Sequence, residues 1–244
     1  MNVTVEVDGV TLVEGKDYKV KYANNRAVTT DKTTKMPTAT ITGIGSFKGS
    51  VKETFKIDVA DLGATTVTAA DAVYQNKKGK YEVNPVVTDS QGTKLAKGKD
   101  YVCEYYKVTV SGNELLDKTK DIVEAGTTIV VKVLPKSENY VGSNSATYEV
   151  QTYSITKAKV KVDAQVYTGS EITITKDDIS SIKVGKTSLV YGEDYVIVED
   201  SYKNNVDKGT ASVTLEGKGN YGGTKTVTFK ITSRTFAWWW NLLH

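Results

Sequence analysis

An all-β fold of tandem β-sandwich modules with Greek-key connections is what this sequence predicts, on three observations. A seven-residue phrase occurs three times, as Leu12-Val-Glu-Gly15-Lys-Asp17-Tyr18, Leu95-Ala-Lys-Gly98-Lys-Asp100-Tyr101 and Leu189-Val-Tyr-Gly192-Glu-Asp194-Tyr195. Alternating apolar residues follow each copy, the period-two pattern of a strand with one wet side. Thr, Val, Tyr and Ile crowd these runs, and such residues suit a pleated, half-buried surface. No run places apolar residues at i, i+3, i+4 and i+7, as an amphipathic helix would.

The spacing sets the module size. Gly15, Gly98 and Gly192 lie 83 and 94 residues apart. Solenoids and propellers repeat every ~20–50 residues, so these are whole small domains. Their length is close to the roughly 100 residues of an immunoglobulin-like sandwich. The expected division is an incomplete immunoglobulin-like repeat over 1–58, a repeat over 59–151 with an insertion near 107–126, a repeat over 152–232, and a non-repeat aromatic tail over 233–244. The first repeat lacks its opening strand, which suggests a piece of a longer array.

In the first copy, Tyr18, Val20 and Tyr22 share one face and the intervening lysines take the other. The strand ends at Asn24-Asn25, as its sister ends at Asn204-Asn205, and Asn tolerates the left-handed conformation that turns need. A second alternating strand follows, Ala39-Thr-Ile41-Thr-Gly43-Ile-Gly45-Ser-Phe47-Lys-Gly49, then Thr54-Phe55-Lys-Ile57. The third copy has Ala211-Ser-Val213-Thr-Leu215-Glu-Gly217-Lys-Gly219-Asn-Tyr221-Gly222, then Thr228-Phe229-Lys-Ile231. The middle copy diverges, with Ile129-Val-Val131-Lys-Val133, Leu134-Pro135-Lys-Ser, Asn139-Tyr140-Val-Gly142 and Thr147-Tyr148-Glu-Val150. An upstream block is Val73-Tyr74-Gln-Asn76 in the second repeat and Val166-Tyr167-Thr-Gly169 in the third. Residues 58–65 and 151–156 are the expected junctions; they are short and carry no flexible Gly/Ser tract, so little bending is expected there.

The formal charge is +3 with 25% charged residues. That balance gives no reason to expect a nucleic-acid or membrane partner. One cysteine excludes an internal disulfide, and no signal peptide or membrane span is visible. The tail Phe236-Ala-Trp238-Trp239-Trp240-Asn-Leu242-Leu243-His244 is far shorter than the roughly 20 residues of a spanning helix.

Few residues promise chemistry. Cys103 occupies the place of Val20 and Ile197, and the only histidine, His244, is terminal; a small core residue is the expected role. Gly217-Lys-Gly219-Asn-Tyr-Gly222 matches G-x-G-x-x-G, but strand pattern follows it where the dinucleotide fingerprint needs a helix. A glycine hairpin turn is expected instead. Asp17, Asp100 and Asp194 are expected to bond their own turns. Asp177-Asp178 and Glu199-Asp200 are too sparse for calcium, and zinc ligands are lacking. No cofactor and no catalytic residue is assigned. Candidate ligand-binding residues are Tyr105, Tyr106, Tyr140, Tyr202 and Tyr221, since aromatics beside Asn and Lys suit sugars and protein partners. Tyr105, Tyr106 and the long insertion at 107–126 are the first place to look. The competing expectation is that most of these rings pack in the sandwich.

The order Tyr-Thr-Gly, Leu-x-x-Gly-x-Asp-Tyr, Asn-Asn, Ala-x-Val-Thr-x-x-Gly-x-Gly-Asn-Tyr-x-Gly and Thr-Phe-Lys-Ile resembles the bacterial immunoglobulin-like and glycine-rich mostly-β repeats of Gram-positive cell-surface proteins. The likeness covers residues 3–232 and is fullest in the third repeat. It implies a secreted or wall-attached, non-catalytic array acting as a structural stalk or adhesin spacer that presents neighbouring domains. Two alternatives stand beside it: a binding module for host glycan or glycoprotein, including immunoglobulin, and an accessory domain of a carbohydrate-active enzyme.

Overall fold

The computed structural model describes residues 3–234; the aromatic tail from residue 235 on lies outside them. The described residues hold twenty-three strands and three short 3-10 turns, with no α-helix among them. The all-β fold is therefore carried by the strands themselves.

The chain forms two compact units. One comprises Met1–Thr68, Pro85–Glu104 and Lys132–Ala146; the other comprises Ala69–Asn84, Tyr105–Val131 and Thr147–His244. The segment 59–151 contributes to both. Its strands Tyr101–Thr109, Thr128–Pro135 and Asn144–Gln151 each start in one unit and end in the other. Each unit contains one junction between successive repeats, near Ala60 in the first and near Tyr153 in the second.

In the first unit, Tyr18–Ala23, Thr38–Gly43 and Ser50–Thr54 form an antiparallel sheet with Thr38–Gly43 at its centre. Val20 faces Ile41 and Tyr22 faces Ala39 across the ladder. A hairpin, Glu6–Val7 with Val10–Thr11, turns through Asp8 and Gly9 at φ 50° and 79°. Two positive φ values in succession are the mark of the turn that matches strand twist. The rest of the unit packs on Leu62, Val87, Tyr101 and Val133, with Leu95, Cys103 and Tyr140 against them.

In the second unit, Gln165–Val166, Thr224–Thr232, Gly209–Gly217 and Tyr195–Lys203 form a four-stranded sheet in that order. Lys159–Lys161, Ser181–Val184 and Thr187–Ser188 form a separate three-stranded sheet. Numbered along the chain, the larger sheet reads 1-4-3-2. Its outer pair is parallel, Gln165 facing Ile231. Ala211, Val213 and Leu215 are fully buried, and Phe229 and Ile231 beside them are nearly so. Ile182 is the buried residue of the smaller sheet. Two sheets with alternating burial facing one core make a sandwich.

The middle repeat has the same order, Ala72–Val73, Asn144–Gln151, Thr128–Pro135 and Tyr101–Thr109. The insertion adds a fifth strand, Gly112–Leu115, at the edge beside Tyr101–Thr109. The first repeat has no counterparts of Lys159–Lys161 and Gln165–Val166 among the described residues. Its Phe55 and Ile57 are only half-buried, whereas the equivalent Phe229 and Ile231 are 2% and 3% exposed.

Candidate functional site

The recurring corner is built alike three times. The carboxylates of Asp17, Asp100 and Asp194 accept hydrogen bonds from the backbone N–H of Val13 (3.0 Å), Ala96 (2.8 Å) and Val190 (2.8 Å). Gly15, Gly98 and Gly192 sit at φ 84°, 83° and 84°, a conformation glycine adopts without steric cost. Their N–H groups donate to the carbonyls of Tyr18, Tyr101 and Tyr195. The tyrosines themselves are 4%, 2% and 3% exposed. So each aspartate closes a turn and each tyrosine anchors the strand it starts. The insertion contains the same carboxylate bond, from Asp117 N–H to Asp121 at 2.6 Å.

Gly217 belongs to a hairpin, and strand follows it. A Cβ at Gly43 or Gly217 would lie 2.8 Å from returning backbone, at Phe47 and Gly222. The middle repeat replaces these glycines with Pro135 and one extra residue before Asn139. The strand-ending Asn24 and Asn204 adopt φ 55° and 56°.

The asparagine before the tyrosine of this turn, Asn139 in the second repeat and Asn220 in the third, does something the repeat pattern does not announce. Asn139 Oδ1 accepts from Val28 N–H at 2.8 Å, and its Nδ2 donates to Arg26 C=O at 3.1 Å. Asn220 Oδ1 accepts from Ala125 N–H, also at 2.8 Å. In each case the partner lies in the preceding repeat. The backbone takes part too. Ala60 N–H donates to Asn139 C=O and Tyr153 N–H to Asn220 C=O. The linker then pairs in parallel with the strand that follows, Ala60 facing Tyr140 and Tyr153 facing Tyr221. Beyond each pair a 3-10 turn buries Leu62 or Ile155 completely. Both junctions are thus ordered by equivalent residues.

The five candidate tyrosines are not brought together. Tyr105 is buried and its hydroxyl donates to Val83 C=O. Tyr106 is half-buried and faces Leu115 across the inserted hairpin. Tyr140 is half-buried at the first junction. Tyr202 accepts from Ile174 N–H (2.9 Å) and donates to Ile174 C=O (3.1 Å), which ties a connecting segment to the sheet. Tyr221 is buried and packs edge-on to Tyr74 (5.7 Å) and Tyr153 (6.4 Å).

Those last three rings line a cleft of about 280 Å³, with Asn76, Lys77, Lys186 and Thr187 among its polar walls. Burial, reinforced by Tyr74, Asp194 and Tyr153, pushes the Tyr221 hydroxyl up to about 12. Sequence reasoning selected Tyr221 and missed Tyr74 and Tyr153. The available signal was that the Tyr74 block and the Asn-Tyr block each recur next to a junction.

Cys103 is half-buried against the Leu62–Val133 cluster, like Val20 and Ile197 at their positions. Asp178 holds the N-terminus of a 3-10 turn together with Thr175, and the Thr175 N–H bond lowers its carboxyl below the usual range. Among the described residues no group of three His, Cys, Asp or Glu side chains is placed to hold a metal. No helix among them is long and apolar enough to cross a membrane.

No protein-family model matches the chain, and no curated protein does. Among solved structures, the chain aligns with protocadherin gamma B2 extracellular cadherin domains 3–6 at 12% identity, over 92% of this chain and 68% of that one, with a TM-score of 0.18. It also aligns with the protocadherin gammaB7 EC3-6 cis-dimer structure at 11% identity, over 94% and 69%, with a TM-score of 0.23.

Proposed function

We propose that this chain is a non-catalytic segment of a bacterial extracellular surface protein, a spacer that holds neighbouring domains apart. One observation carries the reading: both junctions between repeats are clamped by an asparagine in the same place, each with a fully buried linker residue behind it. Investment in junctions suits a part whose work is to keep a span. The aspartates that recur are engaged in turns, and Cys103 packs in a core position, which agrees with a role in packing.

The Tyr74–Tyr153–Tyr221 cleft favours a second reading, a saccharide-binding module. Aromatic walls with amide and ammonium groups at the rim suit a sugar ring. One experiment separates the two. The chain is screened against glycans and glycoproteins, and any hit is titrated with the wild type and with Tyr153→Ala. No saturable binding up to high micromolar concentration supports the spacer. Saturable binding that Tyr153→Ala abolishes supports the cleft and overturns the purely structural reading.

A further inference from the structure

The two clamps share one register, and the third repeat carries its counterpart. In the first repeat the residue after the clamped N–H is Thr29, whose own N–H bonds Ile57 C=O at 2.8 Å. In the second it is Gly126, bonded to Val150 C=O at 2.8 Å. In the third, Gly209 faces Ile231, the equivalent of Ile57 and Val150. The residue before it, Lys208, therefore stands where Val28 and Ala125 stand. Lys208 is exposed, and its N–H has no acceptor among the described residues.

Two neighbours agree with that placement. Tyr74 N–H bonds Gln151 C=O (2.8 Å), and Tyr167 N–H bonds Thr232 C=O in the same way (2.9 Å). Tyr74 is 7% exposed beneath Tyr221 of the next repeat, whereas Tyr167 is half-buried. Val123, three residues before Gly126, is 7% exposed, whereas Val206, three before Gly209, is 38% exposed.

We infer that the Lys208 edge of the third repeat, with Tyr167 and Val206, is a docking surface for a further module of this same type. Its contact is the asparagine of an Asn-Tyr turn, with the carboxamide oxygen on Lys208 N–H and the following tyrosine over Tyr167. The occupant is specified by the two seats already filled, each of which takes an Asn-Tyr pair. A second copy of this chain fits less well. Its Asn139 and Asn220 are engaged, and its first repeat offers Ser46-Phe47 at that place, with a side chain too short to span the same gap.

The inference rests on the clamp geometry behind the spacer reading, and one experiment separates their failures. The chain is joined after Thr232 to a second copy of residues 152–232, which recreates the natural 151–152 register. Amide hydrogen exchange is followed at Val28, Ala125 and Lys208. In the original chain Val28 and Ala125 should be slow and Lys208 fast. In the extended chain Lys208 should slow by roughly tenfold or more. Asn220→Ala in the added copy should restore fast exchange. Asn220→Asp there, which keeps an acceptor and removes the donor, should preserve the slowing. Folding of the added copy is read from slow exchange in its Gly209–Gly217 strand. If the added copy is folded and Lys208 stays fast, or if Asn220→Ala leaves it slow, the docking surface is wrong while the clamps stand. If Val28 and Ala125 themselves exchange fast, the clamp is wrong and the spacer reading loses its support.

Discussion

At the scale of single residues, most polar groups that the sequence repeats are spent on closing turns. The three corner aspartates hold backbone N–H groups four residues back, so Asp100→Ala and Asp194→Ala should each cost about 1 kcal/mol in chemical denaturation. Asp→Asn at either position, which keeps an acceptor oxygen, should cost less. Buried tyrosines give the chain a definite alkaline limit. Burial first, with nearby acidic groups adding to it, pushes the hydroxyls of Tyr81 and Tyr221 from 10.0 up to about 12. The unfolded chain gives up these protons near pH 10, while the folded chain holds them to about pH 12. Between those values the unfolded state binds fewer protons, so stability falls as pH rises, then levels off. Denaturation midpoints measured from pH 9 to 12 should show this fall, and Tyr221→Phe should reduce its slope. A flat profile would mean that the hydroxyls titrate freely.

At the scale of the element, the strand-then-turn phrase was legible because its parts are local. Glycine at positive φ, asparagine at strand ends and alternating apolar residues all act within a few positions. Gly98→Ala and Gly192→Ala meet open space at Cβ, so their cost is the left-handed backbone alone, about 1–2 kcal/mol. The equality of the two values is itself checkable by denaturant titration. What sequence reasoning could not see was longer in range. The block that ends in Asn-Tyr reads as a turn, but its asparagine bonds a loop 95 or 111 residues away. Nothing in a local pattern announces such a partner. Tyr105 and Tyr221 were binding candidates beside the expectation that most such rings pack in the sandwich, and both are buried. Each is buried by a segment that arrives from elsewhere in the chain, near Val83 and at Tyr74. The linkers, read only as short and stiff, contain Leu62 and Ile155, both fully buried. Leu62→Ala and Ile155→Ala should cost about 2–5 kcal/mol each, a penalty no flexible tether would show.

For the whole molecule, the proposed spacer role rests on the order of the junctions between successive repeats. Repeat length and strand pattern foretold sandwich modules. They did not foretell that each compact unit would contain a junction and draw on the repeats at both of its sides. The reason is physical: the linker pairs with a strand of the following repeat and buries its own apolar residue, so contacts are dense across the joint. The most direct test places spin labels on either side of the second junction, at Lys118 and Lys183, in a Cys103→Val background, since valine holds that place in the first repeat. Pulsed dipolar spectroscopy should give one narrow distance distribution, broadened by Asn220→Ala. A broad distribution in the parent chain, unchanged by Asn220→Ala, would contradict the account.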